Sequence, residues 1–332
     1  MNRRKFLRSA ASLGLAVSAP PIVARAAAKE LLVAEPVHGV GYLPMYVAMA
    51  KGYFAESDIT VKIVTIENGS GHTNAVLAGQ AFAFIGGPEH NAYAKLKGAE
   101  LRSVVNCVDR GNIYICATKG NEPKDKNWPA YFKGKSIAVG PFGGTPNSIT
   151  RYLLGKWKLD PKKDVTLHEV PSSAVPATVR GGQATIGVAT EPMVMQGIRA
   201  NLWGEPFFNV PKELGPYAYS TINVRLDTIQ KDPETVRGFV RGMVKGLKHL
   251  YADPKDAADI AKKQFPTMAA DDLKAALDRS LADEMWSKDG MISPAAWDTA
   301  KAVVREAGML KTDVKYDEII DMRFVESARA TP

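Results

Sequence analysis

Gly41-Tyr-Leu-Pro-Met-Tyr-Val-Ala-Met-Ala-Lys-Gly-Tyr-Phe54 is the stretch on which the reading of the fold turns. The run Leu31–Ala34 before it is short and apolar, the length and type of a buried strand. Between the two, Glu35–Gly41 carries one proline and two glycines, which break regular structure. Pro44 suits the first turn of a following helix, where its missing N–H costs nothing. Tyr46, Met49, Ala50 and Phe54 then share one face, Gly52 suits the helix end, and Asp58–Val64 reads as the next strand. The outcome is a β-loop-α-β unit with a polar, histidine-bearing loop beyond the strand, the place where open α/β sheets hold small ligands. This loop is expected to form one wall of a ligand cleft.

Outward from that unit the same pattern repeats. Glu67–His72 is a polar loop, a helix opens at Thr73 or Asn74, Gly79-Gln80 closes it, and Ala81–Ile85 is a buried strand. Gly86–Asn91 forms a third loop before a helix over Ala92–Lys97, and Leu101–Val105 is a further strand. The chain turns polar from Lys119 to Asp125, the expected crossing into a second lobe. There Gly134–Gly140 reads as a strand, Pro141–Ser148 as a glycine-rich turn into a helix, and Ala184–Val188 as another strand. Leu77-Ala-Gly-Gln-Ala-Phe-Ala-Phe84 and Val179-Arg-Gly-Gly-Gln-Ala-Thr-Ile186 place a helix end, a Gly-Gln turn and a strand in the same order, which argues for two similarly built lobes. Four helical patterns follow, at 233–253, 255–264, 270–285 and 293–307. The expected class is α/β, two doubly wound lobes with a helical C-terminal region. Residues 29–118 form the first part of lobe 1, 119–216 lobe 2, and 217–332 the return to lobe 1 with the helices.

Residues 1–28 stand apart. Arg3-Arg4-Lys5-Phe6-Leu7 precedes an apolar, small-residue stretch, and Ala24-Arg-Ala26 or Ala26-Ala-Ala28 offers a cleavage site. This is the pattern of a twin-arginine (Tat) export signal, and it predicts a periplasmic protein cleaved near Ala26 or Ala28. The segment holds five basic residues and no acidic one, so beyond it the formal charge falls from +8 to +3. The high pI is therefore no argument for nucleic acid, and no basic run with interleaved aromatics appears. Cys107 and Cys116 sit in apolar runs and read as small core residues, with a periplasmic disulfide as the alternative.

The Tyr42–Phe54 stretch, the Leu77–Gly86 turn and the Gly143–Thr145 block resemble the solute-binding proteins of ABC importers in the nitrate/sulfonate/taurine and thiamine-pyrimidine group. The likeness covers nearly all of residues 30–325. It implies a type II periplasmic-binding fold, a ligand held between two lobes, and a permease in the inner membrane as partner. It also implies a monomer without cofactor. The rival within this superfamily is a thiamine-pyrimidine synthase working with pyridoxal phosphate. The export signal and the lack of that group's cysteine-rich motif argue against it. A sensor subunit is the third reading.

Candidate ligand contacts lie at the strand ends. Three of the five histidines, His38, His72 and His90, fall in the three first-lobe loops. They are joined by Gly41, Tyr42, Ser70, Gly71, Pro88 and Glu89 from the same segments. In the second lobe Gly143, Gly144, Thr145 and Asn147 open a helix whose free N–H groups favour an anionic group. Glu191, Tyr217 and Tyr219 complete the set. Metal spacing such as HxxxH is missing, as are a P-loop, a G-x-S-x-G elbow and HExxH, so neither a metal nor a catalytic residue is expected. The expected cargo is a small organic anion or heteroaromatic solute, such as a sulfonate, a carboxylate or a pyrimidine-like ring.

Overall fold

A computed structural model describes residues 27–330. The expected export signal therefore lies almost wholly outside the described residues. Among those described, the strands are β1 (Lys29–Glu35), β2 (Ile59–Thr65), β3 (Ala83–Gly86), β4 (Leu101–Arg110) and β5 (Tyr114–Ala117). They continue with β6 (Ser136–Val139), β7 (Thr166–Glu169), β8 (Ile186–Ala189), β9 (Phe208–Asn209) and β10 (Pro216–Arg225).

Two five-stranded sheets result, ordered β2-β1-β3-β10-β4 and β7-β6-β8-β5-β9. Each has the same plan. The first strand of each unit pairs in parallel with the next two, β1 with β2 and β3, β6 with β7 and β8. An antiparallel strand arriving from the other half of the chain then joins, β10 beside β3 and β5 beside β8. The two Gly-Gln turns echoed in the sequence precede β3 and β8, which hold equivalent places in their sheets. The lobes are two copies of one doubly wound plan, with helices packed on the apolar strands.

The crossing between sheets falls earlier than the polar turn at Lys119 suggests. β5 bonds to β8 and β9, so the chain changes lobes over Gly111-Asn112-Ile113. Tyr114–Ala117 is buried throughout and reads as a continuation of the first lobe, whereas the polar turn after it is only a surface connection. The chain comes back to the first sheet after Gly215, with β10. Cys107 and Cys116 are both buried free thiols.

All four C-terminal helical patterns are present, at Pro233–Ala252, Pro254–Gln264, Ala270–Ala282 and Pro294–Glu306. Three open on an Asp or Ser cap whose side chain accepts a backbone N–H, followed by proline at the first helical position. The longest buries Val236, Phe239, Val240, Met243 and Leu247 along one stripe. Phe54, just beyond the helix Leu43–Ala50, stacks on Phe239 at 4.9 Å and so ties the opening unit to this layer. Among the described residues no helix is long and apolar enough to cross a membrane.

Candidate functional site

The two sheets face each other across a cleft whose walls are strand-end segments. The first lobe contributes Pro36–Tyr42, Glu67–His72 and Gly86–His90; the second contributes Pro141–Pro146, Ser172 and Thr190-Glu191. Asn112 at one lobe crossing and Tyr219-Ser220 on β10 form its back. The space between these walls, counted out to its open mouth, is about 660 Å³.

Backbone precision at this cleft comes from groups behind it. The carbonyl of Gly86, at the end of β3, accepts from Asn223 Nδ2 at 3.0 Å and Thr221 Oγ1 at 3.1 Å, both buried on β10. Asn223 also takes part with Ser103 and Asn91 in a fully buried polar network. Buried networks of this kind help to fix one arrangement of a core. The carbonyl of Gly41 accepts from Trp286 Nε1 at 3.0 Å. A Cβ on Gly41 would stand 2.4 Å from Asn112 Nδ2, so a larger residue here would have to displace the Asn112 side chain at the lobe crossing.

Several contacts join the lobes around the cleft. Thr145 Oγ1 donates to Glu89 Oε1 at 2.5 Å, with both residues buried. Val40 N–H donates to the Glu191 carbonyl at 3.2 Å. Glu67 Oε2, at the mouth, accepts from the N–H and hydroxyl of Ser173 at 3.1 and 2.8 Å. Gly69, with φ +68°, lies so close that a Cβ there would stand 2.6 Å from the Phe142 carbonyl.

His72 and His90 sit together inside the first-lobe wall, ring centres 4.7 Å apart and edge to face. Neither nitrogen of His72 has a partner, and the residue is 1% exposed. Burial, with His90 beside it, holds His72 well below its ordinary range, and burial alone lowers His90 to about 4. Both imidazoles are neutral near pH 7, each with one donor and one acceptor. Burial pushes Glu89 up to about 7, with the Thr145 hydrogen bond pulling the other way.

Glu191 is also buried and is likewise pushed up to about 7 by desolvation. Arg279 opposes that shift by pairing with Glu191, and its second nitrogen binds Glu205 at 2.6 Å. The other Glu191 oxygen accepts from Met195 N–H at 3.2 Å. Tyr42 pairs with Ser220 beside the cleft.

Of the sequence candidates, the cleft is lined by Gly41, Tyr42, His72, His90, Gly144, Thr145, Glu191 and Tyr219. Glu89 lies just behind, reaching Thr145. His38 does not line it: its ring bonds Glu35 at 2.9 Å, contacts Tyr46 and packs on Phe265 at 5.0 Å. The bond to buried Glu35 raises the His38 pKa, the mark of a charge partner. Asn147 is spent within lobe 2 on the Gly140 carbonyl, Glu169 and Arg151. Tyr217 is buried behind Tyr219, Ser70 is exposed, and Gly71, Pro88 and Gly143 also stay out of the lining. Gly71-His72 and Glu89-His90 lie in first helical turns, Gly71–Leu77 and Glu89–Lys95, where loops were expected. Pro88 caps the second of these and starts it early.

Sequence reasoning missed Glu67, Asn112, Ser172, Thr190 and Ser220 in the lining, and Arg279 behind it. Single polar residues on strands and crossings carry no spacing signal. Thr190 was legible only as the neighbour of Glu191.

Comparison with known proteins places the chain beside binding proteins and a synthase. YtlA of Bacillus subtilis (strain 168) is 22% identical over 298 residues, covering 89% of this chain and 88% of its own. The riboflavin-binding protein RibY of Chloroflexus aurantiacus is 27% identical over 308 residues, 87% of this chain and 84% of its own. A 4-amino-5-hydroxymethyl-2-methylpyrimidine phosphate synthase of Candida albicans is 24% identical over 246 residues, 69% of each chain. Among solved structures, the alkanesulfonate-binding protein SsuA of Xanthomonas axonopodis pv. citri, bound to MOPS, superposes with a TM-score of 0.69 at 15% identity. The match covers 88% of this chain and 98% of that one. The family described as NMT1/THI5 like matches residues 40–257. With more than half its length matched, and with the two-lobed periplasmic-binding fold, the chain belongs to the NMT1/THI5-like family.

Proposed function

We propose that the protein is the exported, monomeric solute-binding component of an ABC importer. It takes up a small organic anion or heteroaromatic solute between its lobes and presents the closed form to a permease. The observation that carries this reading is the cleft itself. Side chains of both lobes converge on it, and the buried nitrogens of His72 and the hydroxyl of Thr190 in its lining have no protein partner. Buried polar groups are nearly always paired, so groups left unpaired at a cleft point to a ligand that pairs them. The likeness to a riboflavin-binding protein and to an alkanesulfonate-binding protein supports solute capture. The synthase reading calls for a lysine to hold pyridoxal phosphate as an imine, and no lysine is among the lining residues.

A thermal-shift panel of alkanesulfonates, aromatic carboxylates, nitrate, pyrimidines and flavins, with pyridoxal phosphate as control, tests this. A solute present at 100 times its Kd adds about 2.7 kcal/mol to the folded form, a rise of a few degrees in Tm. A shift from one of the solute classes supports the reading. A shift from pyridoxal phosphate alone, with a visible imine band, would replace it by the synthase.

A further inference from the structure

The cleft's charge pattern is one-sided. No lysine or arginine is among its lining residues, whereas two carboxyl groups are, Glu67 and Glu191. The nearby guanidinium groups are committed. Arg279 is held by Glu191 and Glu205, and Arg151 by Glu169 and Asn147.

The helix Thr145–Lys156 is the one long helix start at the cleft, and it is poorly equipped to hold an anion. Pro146, near its first position, removes one N–H donor, and the Thr145 hydroxyl is spent on Glu89, which comes from the opposite lobe. An added anion would face Glu67 and Glu191, and the one guanidinium bonded there, Arg279, is already shared between Glu191 and Glu205.

The groups that remain unpaired in the lining are of another kind. The His72 ring offers one donor and one acceptor, and the Thr190 hydroxyl is buried and unpartnered. Around them stand flat apolar surfaces, Tyr219, Pro36, Pro141 and Pro146.

Resting on the solute-capture reading, we infer that this cleft selects an uncharged ring that carries hydrogen-bond donors and acceptors side by side, and rejects the anionic counterpart of the same ring. A lactam or an amino-substituted nitrogen heterocycle has this edge. It would exchange both kinds of hydrogen bond with His72 and Thr190 while its faces lie against tyrosine and proline.

The test is calorimetric titration with matched pairs sharing one ring: riboflavin against its 5′-phosphate, uracil against its 6-carboxylate, benzamide against benzenesulfonate. In each pair that binds, the neutral member is expected to bind at least about tenfold tighter, a difference of about 1.4 kcal/mol. Its affinity should hardly change between low and high salt. Glu67→Gln keeps an acceptor for Ser173 and removes the charge, so the ratio between the members should narrow. Preference for the anionic member, or affinity that collapses with salt, would overturn this inference and leave solute capture standing. Absence of binding by every member would overturn both.

Discussion

The Thr145 hydroxyl of the second lobe donates a 2.5 Å hydrogen bond to the Glu89 carboxyl of the first, and neither residue is open to solvent. Burial of that carboxyl, with one oxygen unpaired, favours its protonated form, and the Thr145 hydrogen bond opposes the shift. The contact between the lobes is therefore linked to a proton on Glu89.

Glu89→Gln tests that link, because an amide mimics the protonated acid. The Glu89 pKa rises from 4.5 to about 7 on folding, so the contribution of its proton is fully present below pH 4.5 and lost as pH rises through 7. The variant should melt with wild type at pH 5 and above it at pH 8, by a margin of order 1–3 kcal/mol. Differential scanning calorimetry at the two pH values reads this. A variant less stable at pH 8 would show that the ionised carboxylate is the favoured form.

His72→Leu should separate binding from stability. The substitution removes two unpaired buried nitrogens, so the empty protein should gain about 1 kcal/mol or stay unchanged. Solute binding should weaken at least about tenfold. Large destabilisation with unchanged affinity would make His72 a structural residue.

Gly69→Ala should act chiefly on closure. Its φ of +68° and the 2.6 Å approach of a Cβ to the Phe142 carbonyl penalise the closed form, whereas the strain of φ alone remains when the lobes part. Affinity should fall by about an order of magnitude with Tm of the empty protein lowered by only about 1 kcal/mol. Titration calorimetry beside thermal melts checks both, and unchanged affinity would mean that the lobes do not close at this point.

Arg279→Met leaves Glu191 buried without its partner, and the expected cost is about 3–5 kcal/mol near pH 8. Because Glu191 is already pushed up to about 7, it takes up a proton at pH 5 and the loss there should be smaller. Urea denaturation at both pH values measures it. An equal loss at the two would exclude the charge as its cause.

What could be read from the chain followed from local rules. Apolar strand runs, Gly-Gln turns, and Asp or Ser caps before proline gave the lobes and the C-terminal helices, because each is a neighbour effect a few residues long. Strand ends likewise pointed to His72, His90 and Thr145. The partners of those residues could not be read in the same way. His38 looked equivalent to His72, yet a carboxylate three residues earlier, Glu35, claims its ring. Glu191 met Arg279 from 88 residues away, and Thr145 met Glu89 from 56. Such pairs are set by how helices and lobes pack. The crossing at Gly111–Ile113 was hidden for a similar reason, since β5 carries the apolar residues of either sheet.

The most direct test of solute capture between two closing lobes is the distance between them in solution. Spin labels at the exposed Lys97 of the first lobe and Lys124 of the second leave the buried native thiols untouched. Electron-electron resonance should give a longer or broader distribution for the empty protein and one narrow, shorter distance on saturation with the tightest solute of the panel. An identical distribution with and without that solute would contradict the account.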